Sequence, residues 1–371
     1  MAYLKINRRT FLKVSSGVLG VGLVPAMYSS LQNFSEISNT PIIYIFLRGG
    51  ADALSLIHPE EEHKGLISRR PNVMMNISKS STWDNHLIHE KFESWDYLWK
   101  NNSLNIIQQV GSEGHKSHNI ETIKKHRIFG DALFDNTKKN IPKWNYYLTS
   151  SRPDFFRNAD NVFHLMHPMQ DTISDNDNLN SLLYDFSMKK ITNNPMINAI
   201  LNHRSAINLA CKGIPSIAEV PSEFHRNLQI IGELINQNMK FDIAYVELNG
   251  WDTHANQGTN TGSFSTNLEI LINGVNSFLN SIEKHSQNYL IYIDSEFGRS
   301  INENGSFGTE HGQGGINFLI SPKFKKSKVI SQWQHLLPSM IDLPISIKSQ
   351  DVVKEIRKHF SKSSKGSISL F

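Results

Sequence analysis

The sequence predicts an α/β protein in which a mostly parallel sheet carries helices on both faces. Three observations lead there. Five near-continuous apolar runs have strand length, as suits strands buried on both faces: PIIYIFL (41–47), LNIIQQV (104–110), FDIAYVEL (241–248), YLIYID (289–294) and INFLI (316–320). Segments with helical spacing alternate with them, the pattern of helices packed on a parallel sheet. Each run also abuts polar, Gly-containing sequence, as expected where connecting loops gather at one edge of such a sheet.

Taken from the amino end, residues 1–26 hold Arg8-Arg9, then Phe11-Leu12-Lys13, then a Gly- and Val-rich run broken at Pro25. This is the arrangement of a twin-arginine export signal, with cleavage expected after Ala26 and, as no A-x-A form is present, an uncleaved anchor as the alternative, although the run falls short of the ~20 apolar residues of a spanning helix. Residues 27–40 read as a Ser/Asn-rich linker and 41–371 as one domain. Within it, helices are expected over 117–130, 183–210, 222–239 and 265–286, the last with Leu268, Leu271, Ile272, Val275, Leu279 and Ile282 on one face. The stretch 142–182, rich in Pro, Asn, Asp and Trp, reads as an irregular excursion.

Composition narrows the function classes. The formal net charge is +4, yet Lys5, Arg8, Arg9 and Lys13 all lie in the leader, which contains no acid. Without the leader the chain is neutral, and nothing points to nucleic acid as a partner. The single cysteine, Cys211, excludes an intramolecular disulfide and a thiolate metal site. No G-x-S-x-G elbow, phosphate-binding loop or dinucleotide fingerprint is present.

The chemistry-bearing side chains follow the strands. Asp52 comes after the first run, Ser117 and His118 after the second, Asp252 and His254 after the third, and Glu296 after the fourth, while His311 precedes the fifth. Carboxylates gathered at one sheet edge repel each other, and a divalent cation relieves that repulsion. A mixed Asp/Glu/His set without thiolate suits zinc first, with manganese or iron next, better than calcium. The competing reading of each residue is a turn or helix cap: Asp52 capping the helix after RGGA, Glu296 paired with Arg299, Ser117 an N-cap rather than a nucleophile. His115 and His118 are alternative bases or ligands. Trp251 reads as a packing residue. His58, His63, His86 and His89 lie away from strand ends and are expected at the surface.

RRTFLK, FLRGGADALSLIHP, QQVGSEGHKSHN, AYVELNGWDTHANQ, IDSEFGRSINENGSFGTEHGQGG and the final VVKEIRKHF together resemble the bacterial family called domain of unknown function 1501. That family is similar to the alkaline phosphatase and sulfatase superfamily. The resemblance implies an alkaline-phosphatase-like three-layer α/β/α sandwich, with metal held by Asp52, Asp252, His254, Glu296 and His311 and with Ser117 as nucleophile. Two departures stand out: Ala53 replaces the third glycine of RGGxDGL, and NIETIKK (119–125) replaces an aromatic and Asp-rich run, leaving Glu121 as the nearest acid.

The function expected on this basis is an exported, metal-dependent hydrolase of a small phosphate or sulfate ester. Ser117, His118 and Arg299 are the catalytic candidates, and Arg48 or Arg299 would grip the anion in a fork. It would be periplasmic or secreted and would meet the twin-arginine translocase during export. The alternative is a periplasmic binding or assembly protein that keeps the fold without turnover. Its partner would come from the secreted family called domain of unknown function 1800, with which the resembled family is commonly associated.

Overall fold

The computed structural model describes residues 2–4, 40–133, 145–149, 153–156, 162–165, 220–237, 239, 241–282 and 288–360. The twin-arginine pair, the cleavage position, Cys211 and the helix expected over 183–210 lie outside the described residues, as does most of the excursion.

In chain order the elements are β1 (Ala2–Leu4), β2 (Ile42–Leu47), α1 (Ala53–Leu56), β3 (Ile57–Pro59), α2 (His63–Arg69), β4 (Ser81–Trp83), β5 (His86–Ile88), α3 (Asp96–Lys100), β6 (Leu104–Gly111), α4 (His118–Leu133), β7 (Asn145–Tyr147) and β8 (Val162–Leu165). There follow α5 (Glu223–Asn236), β9 (Ile243–Leu248), α6 (Ser263–Ile282), β10 (Leu290–Ser295), β11 (Arg299–Glu303), β12 (Thr309–His311), β13 (Gly315–Ile320), β14 (Lys328–Ile330), β15 (Ile347–Lys348) and α7 (Ser349–Phe360).

The main sheet runs β1-β8-β7-β9-β2-β10-β13-β6-β14, with β15 also on β6. Strands β8, β7, β9, β2 and β10 are mutually parallel. The fifth apolar run, β13, lies antiparallel to both β10 and β6, so β6 keeps the direction of the others. All five expected strands form, and the carboxyl ends of β2, β6, β9 and β10 share one edge.

Alternation along the strands separates two cores. Ile43, Ile45, Ala244, Val246, Ile291 and Ile293 face Leu228 and Ile231 of α5 and Leu268, Leu271 and Val275 of α6. Tyr44, Phe46, Tyr245 and Tyr292 face Phe129 of α4 and Val352, Val353 and Ile356 of α7. A strand buried on both faces needs such an all-apolar run, and the result is a three-layer α/β/α arrangement.

Between β2 and β6 the chain builds a small antiparallel sheet, β3-β5-β4, which periodicity does not predict. This region corrects the expectation for four histidines. His58 and His89 are fully buried and His63 nearly so, while His86 is half-buried. His58 Nδ1 lies 3.0 Å from the Leu54 carbonyl and its Nε2 3.0 Å from His63 Nδ1, and the two rings stack. Burial lowers the His58 pKa to about 3, so the ring is neutral and serves as a hydrogen-bonding core residue.

Candidate metal centre

The loop after β2 is shaped by two glycines in the left-handed region, Gly49 at φ +126° and Gly50 at φ +82°. A Cβ on Gly49 would stand 2.2 Å from the Asp252 nitrogen, so the β2 and β9 loops approach as closely as they do only because position 49 has no side chain. Their freed N–H groups point at one target: Gly49 N donates to both oxygens of Glu296 (3.0 and 2.9 Å) and Gly50 N to Oε2 at 3.0 Å. Burial pushes the Glu296 carboxyl pKa up, but the hydrogen bonds from His118 and Gly49 outweigh it and hold the group below its usual value. Glu296 is therefore a buried anion held by backbone, and its expected pairing with Arg299 does not form.

The cluster itself is built from three loops. Asp252, 43% exposed, sits at its centre. Its Oδ1 accepts from Arg299 Nη1 at 2.9 Å and lies 3.0 Å from His254 Nε2 and 3.1 Å from His311 Nε2, while Oδ2 is 3.3 Å from His118 Nε2. His118 enters from the start of α4, His254 from the β9 loop, and His311 from β12, opposite Arg299 in the β11–β12 hairpin. One ligand atom each from His118, Asp252 and His311 falls within 4.8 Å of the other two.

The second nitrogen of each ring explains the orientation. His311 Nδ1 is 2.7 Å from the Lys116 carbonyl, His254 Nδ1 is 3.0 Å from Glu310 Oε2, and His118 Nδ1 is 3.5 Å from Glu296 Oε1. A carbonyl or carboxylate can only accept, so His311 and His254 carry their protons on Nδ1. Their Nε2 atoms then stand 2.9 Å apart, against Asp252 Oδ1. Two ring nitrogens and a carboxylate oxygen thus converge on one point, an arrangement that a cation at the centre would satisfy. At His118, the neighbouring Glu296 raises the pKa above the ordinary imidazole value, against the opposing effect of burial. A proton and a metal ion would therefore compete for its Nε2. For Asp252, burial pushes the pKa up, but the hydrogen bond from Arg299 and the contact with His311 outweigh it and hold the carboxyl below its usual value.

Four expected roles change, those of Glu296, His118, Asp52 and Arg299. Glu296, expected among the metal ligands, is held by the Gly49 and Gly50 N–H groups. His118, expected in catalysis, joins Asp252 and His311 in the candidate ligand set. Asp52 is 1% exposed, and its Oδ2 accepts from Ser55 Oγ (2.6 Å), Gln257 Nε2 (2.6 Å) and, in a buried ion pair, Arg70 Nη2. One oxygen of its carboxylate is thus engaged by an internal cation while the buried Oδ1 has no hydrogen-bond partner among the described residues, and its main-chain carbonyl takes part in starting α1. Arg70 follows no strand, so sequence reasoning had no signal for it beyond the run Arg69-Arg70. Arg299 was expected to fork onto an anionic substrate. Its side chain is fully buried, with Nε on Thr309 Oγ1 (3.1 Å) and Nη1 on Asp252, so it holds the carboxylate and does not reach solvent.

Ser117 is half-buried at the amino end of α4, where its carbonyl accepts from Glu121 N at 2.9 Å; no capping bond by its hydroxyl occurs among the described residues. Its neighbours Lys116 and His118 both contact the cluster. Glu121 is buried and takes a 3.1 Å bond from Ser112 Oγ, away from the imidazoles. His115 is exposed. Arg48, part-exposed, stands 3.7 Å from Glu247. Trp251 is a packing residue, edge-on to Phe264. Ala53 sits in α1 outside the left-handed region, so the departure from glycine there costs no backbone strain.

Residues 219–358, which carry Asp252, His254, Glu296, Arg299 and His311, match the family described as "Protein of unknown function (DUF1501)". No curated protein matches the sequence. Among solved structures, the chain is similar to Ps i-CgsB in complex with k-i-k-neocarrahexaose (10% identity, TM-score 0.35, 89% of this chain and 75% of that one). It is also similar to the C-terminal periplasmic domain of EcEptC from Escherichia coli in complex with Zn (10% identity, TM-score 0.39, 89% and 85%). A third is a Bacteroides thetaiotaomicron protein from its metabolism of multiple glycosaminoglycans (9% identity, TM-score 0.36, 87% and 73%). With TM-scores this low, the chain's own residues must carry any functional reading. No helix among the described residues is long and apolar enough to cross a membrane.

Proposed function

We propose that the protein is an exported, divalent-metal-dependent hydrolase of a phosphate or sulfate ester. The observation that carries the metal part is the convergence of His254 and His311 Nε2 on Asp252 while their Nδ1 atoms are tied outward. His118, Asp252, His254 and His311 would hold the ion. Three imidazoles and one carboxylate fit zinc well, with manganese or iron as the other candidates. When bound, the ion would supply Lewis acidity toward an ester oxygen. The ester class and export through the twin-arginine route come from the sequence resemblance and its leader.

The residues then divide the work. Ser117 is the nucleophile in this reading, placed at the amino end of α4, where the helix dipole favours an anionic substrate. Its oxygen bonds to phosphorus or sulfur as the bond to the ester oxygen breaks, and the hydroxyl proton passes to that departing oxygen so that an alcohol leaves. Water later hydrolyses the ester formed on Ser117, returning the hydroxyl and releasing phosphate or sulfate. Arg299 keeps Asp252 ionised and oriented, and Glu296 orients His118. Since both are buried anchors, they arrive preorganised and do not rearrange during turnover.

Metal content of the full chain, wild type beside Asp252→Ala, is the test. Near-stoichiometric transition metal in the wild type, lost in the variant, together with turnover of an aryl phosphate or sulfate that Ser117→Ala abolishes, is the expected result. A metal-free wild type sinks the proposal. A second reading, a binding or assembly protein, draws support from Asp52 being engaged by Arg70. Metal retained with silence on every ester, and a stoichiometric partner in a periplasmic pull-down, would favour it.

A further inference from the structure

Each converging imidazole needs an acceptor for its outward Nδ1 proton. For His311 this is main chain and for His118 it is the buried Glu296, but for His254 it is Glu310, whose side chain is 59% exposed. An exposed glutamate ordinarily samples many rotamers, and an isolated surface ion pair with histidine has little influence on anything nearby. Glu310 is held at both oxygens. Oε2 lies 3.0 Å from His254 Nδ1, and Oε1 accepts from Asn304 Nδ2 at 2.6 Å.

Asn304 is itself fixed by the turn it organises. Its Oδ1 accepts from Ser306 N (2.9 Å) and Gly308 N (3.1 Å), its main-chain N–H donates to the Gly308 carbonyl (2.8 Å), and the same Nδ2 reaches the His254 carbonyl at 2.9 Å. The β11–β12 turn thus grips His254 at two points, through its backbone by Asn304 and through its ring by Glu310. The Glu310 backbone N–H is in turn pinned by Ser300 Oγ at 3.0 Å.

We propose that Glu310, braced by Asn304, is a positioning residue that fixes the tautomer and ring orientation of His254 and so sets the metal affinity of the cluster. This rests on the metal reading of the site. A carboxylate behind a ligand histidine holds its Nδ1 proton, turns Nε2 inward and raises its basicity, and loss of such a partner typically weakens metal binding by about 10–100-fold. Nothing about Glu310 requires it to touch substrate.

The experiment uses the full chain and zinc alone as probe. Competition titration against a chelator is run on wild type, Glu310→Ala, Glu310→Gln and Asn304→Ala. Long-range proton–nitrogen spectra of the metal-free proteins report the His254 tautomer. Glu310→Ala should bind zinc about 10–100-fold more weakly, with His254 moving toward the Nε2–H form and an unchanged thermal midpoint without metal. Glu310→Gln, whose amide oxygen still accepts, should recover part of the loss, and Asn304→Ala should shift in the same direction as Glu310→Ala. Wild-type zinc affinity in Glu310→Ala overturns the proposal. If the wild type itself takes up no zinc, the metal reading fails on its own account, and an unchanged His254 tautomer in Glu310→Ala then overturns the positioning role separately.

Discussion

Replacing Asp52 by Asn separates an internal ion pair from a metal ligand. In the wild type, Arg70 and Asp52 are 0% and 1% exposed, and the guanidinium has no other carboxylate partner among the ion pairs of the described residues. Asp52→Asn keeps the shape and the hydrogen bonds from Ser55 and Gln257 within reach but leaves Arg70 as an uncompensated buried charge. Breaking a buried pair from one side costs about 3–5 kcal/mol, whereas removing both charges is often nearly neutral. Asp52→Asn and Arg70→Met should therefore each lower the unfolding free energy by about 3–5 kcal/mol, and the double variant should recover most of it. Equilibrium unfolding in urea, followed by tryptophan fluorescence, gives the free energies. Metal content on the same samples should be unchanged in Asp52→Asn, since Oδ2 is already taken up by Arg70, Ser55 and Gln257. A stable Asp52→Asn that has lost its metal would refute the reasoning and return Asp52 to the ligand set.

Two further outcomes follow from other buried groups. Lys125 is 4% exposed and bonds Asp294 at 2.9 and 3.2 Å, tying α4 to β10; Lys125→Met should destabilise by about 3 kcal/mol, and adding Asp294→Asn should restore most of it in urea unfolding. His126 is buried between Phe46 and Phe155, and burial lowers its pKa from 6.5 to about 4. The folded ring thus resists a proton that the unfolded chain accepts, so its contribution is fully present above about pH 6.5 and is lost as pH falls toward 4, about 3 kcal/mol in all. His126→Phe should flatten the stability curve in that window, and an unchanged slope would show that the proton is taken up elsewhere.

Sequence by itself determined the fold class, because strands covered on both faces must be continuous apolar runs and helices covered on one face must show a stripe. That is why β2, β6, β9, β10, β13 and α6 were legible. It also placed Asp252, His254, His118 and His311 near one edge, since loops at strand ends have nowhere else to go. It could not separate ligand from anchor. Asp52 and Asp252 both follow strands in Gly-containing sequence, and only the tertiary structure brings Arg70, a residue 18 positions away, onto the first and three imidazoles onto the second. In the same way Arg299 is buried by the hairpin that pairs it with His311, a pairing fixed by backbone hydrogen bonds that leave no periodic trace in side-chain type. The β3-β5-β4 sheet escaped notice for a related reason: strands of three residues are too short to display a period, so the burial of His58, His63 and His89 became visible only once the chain had packed around them.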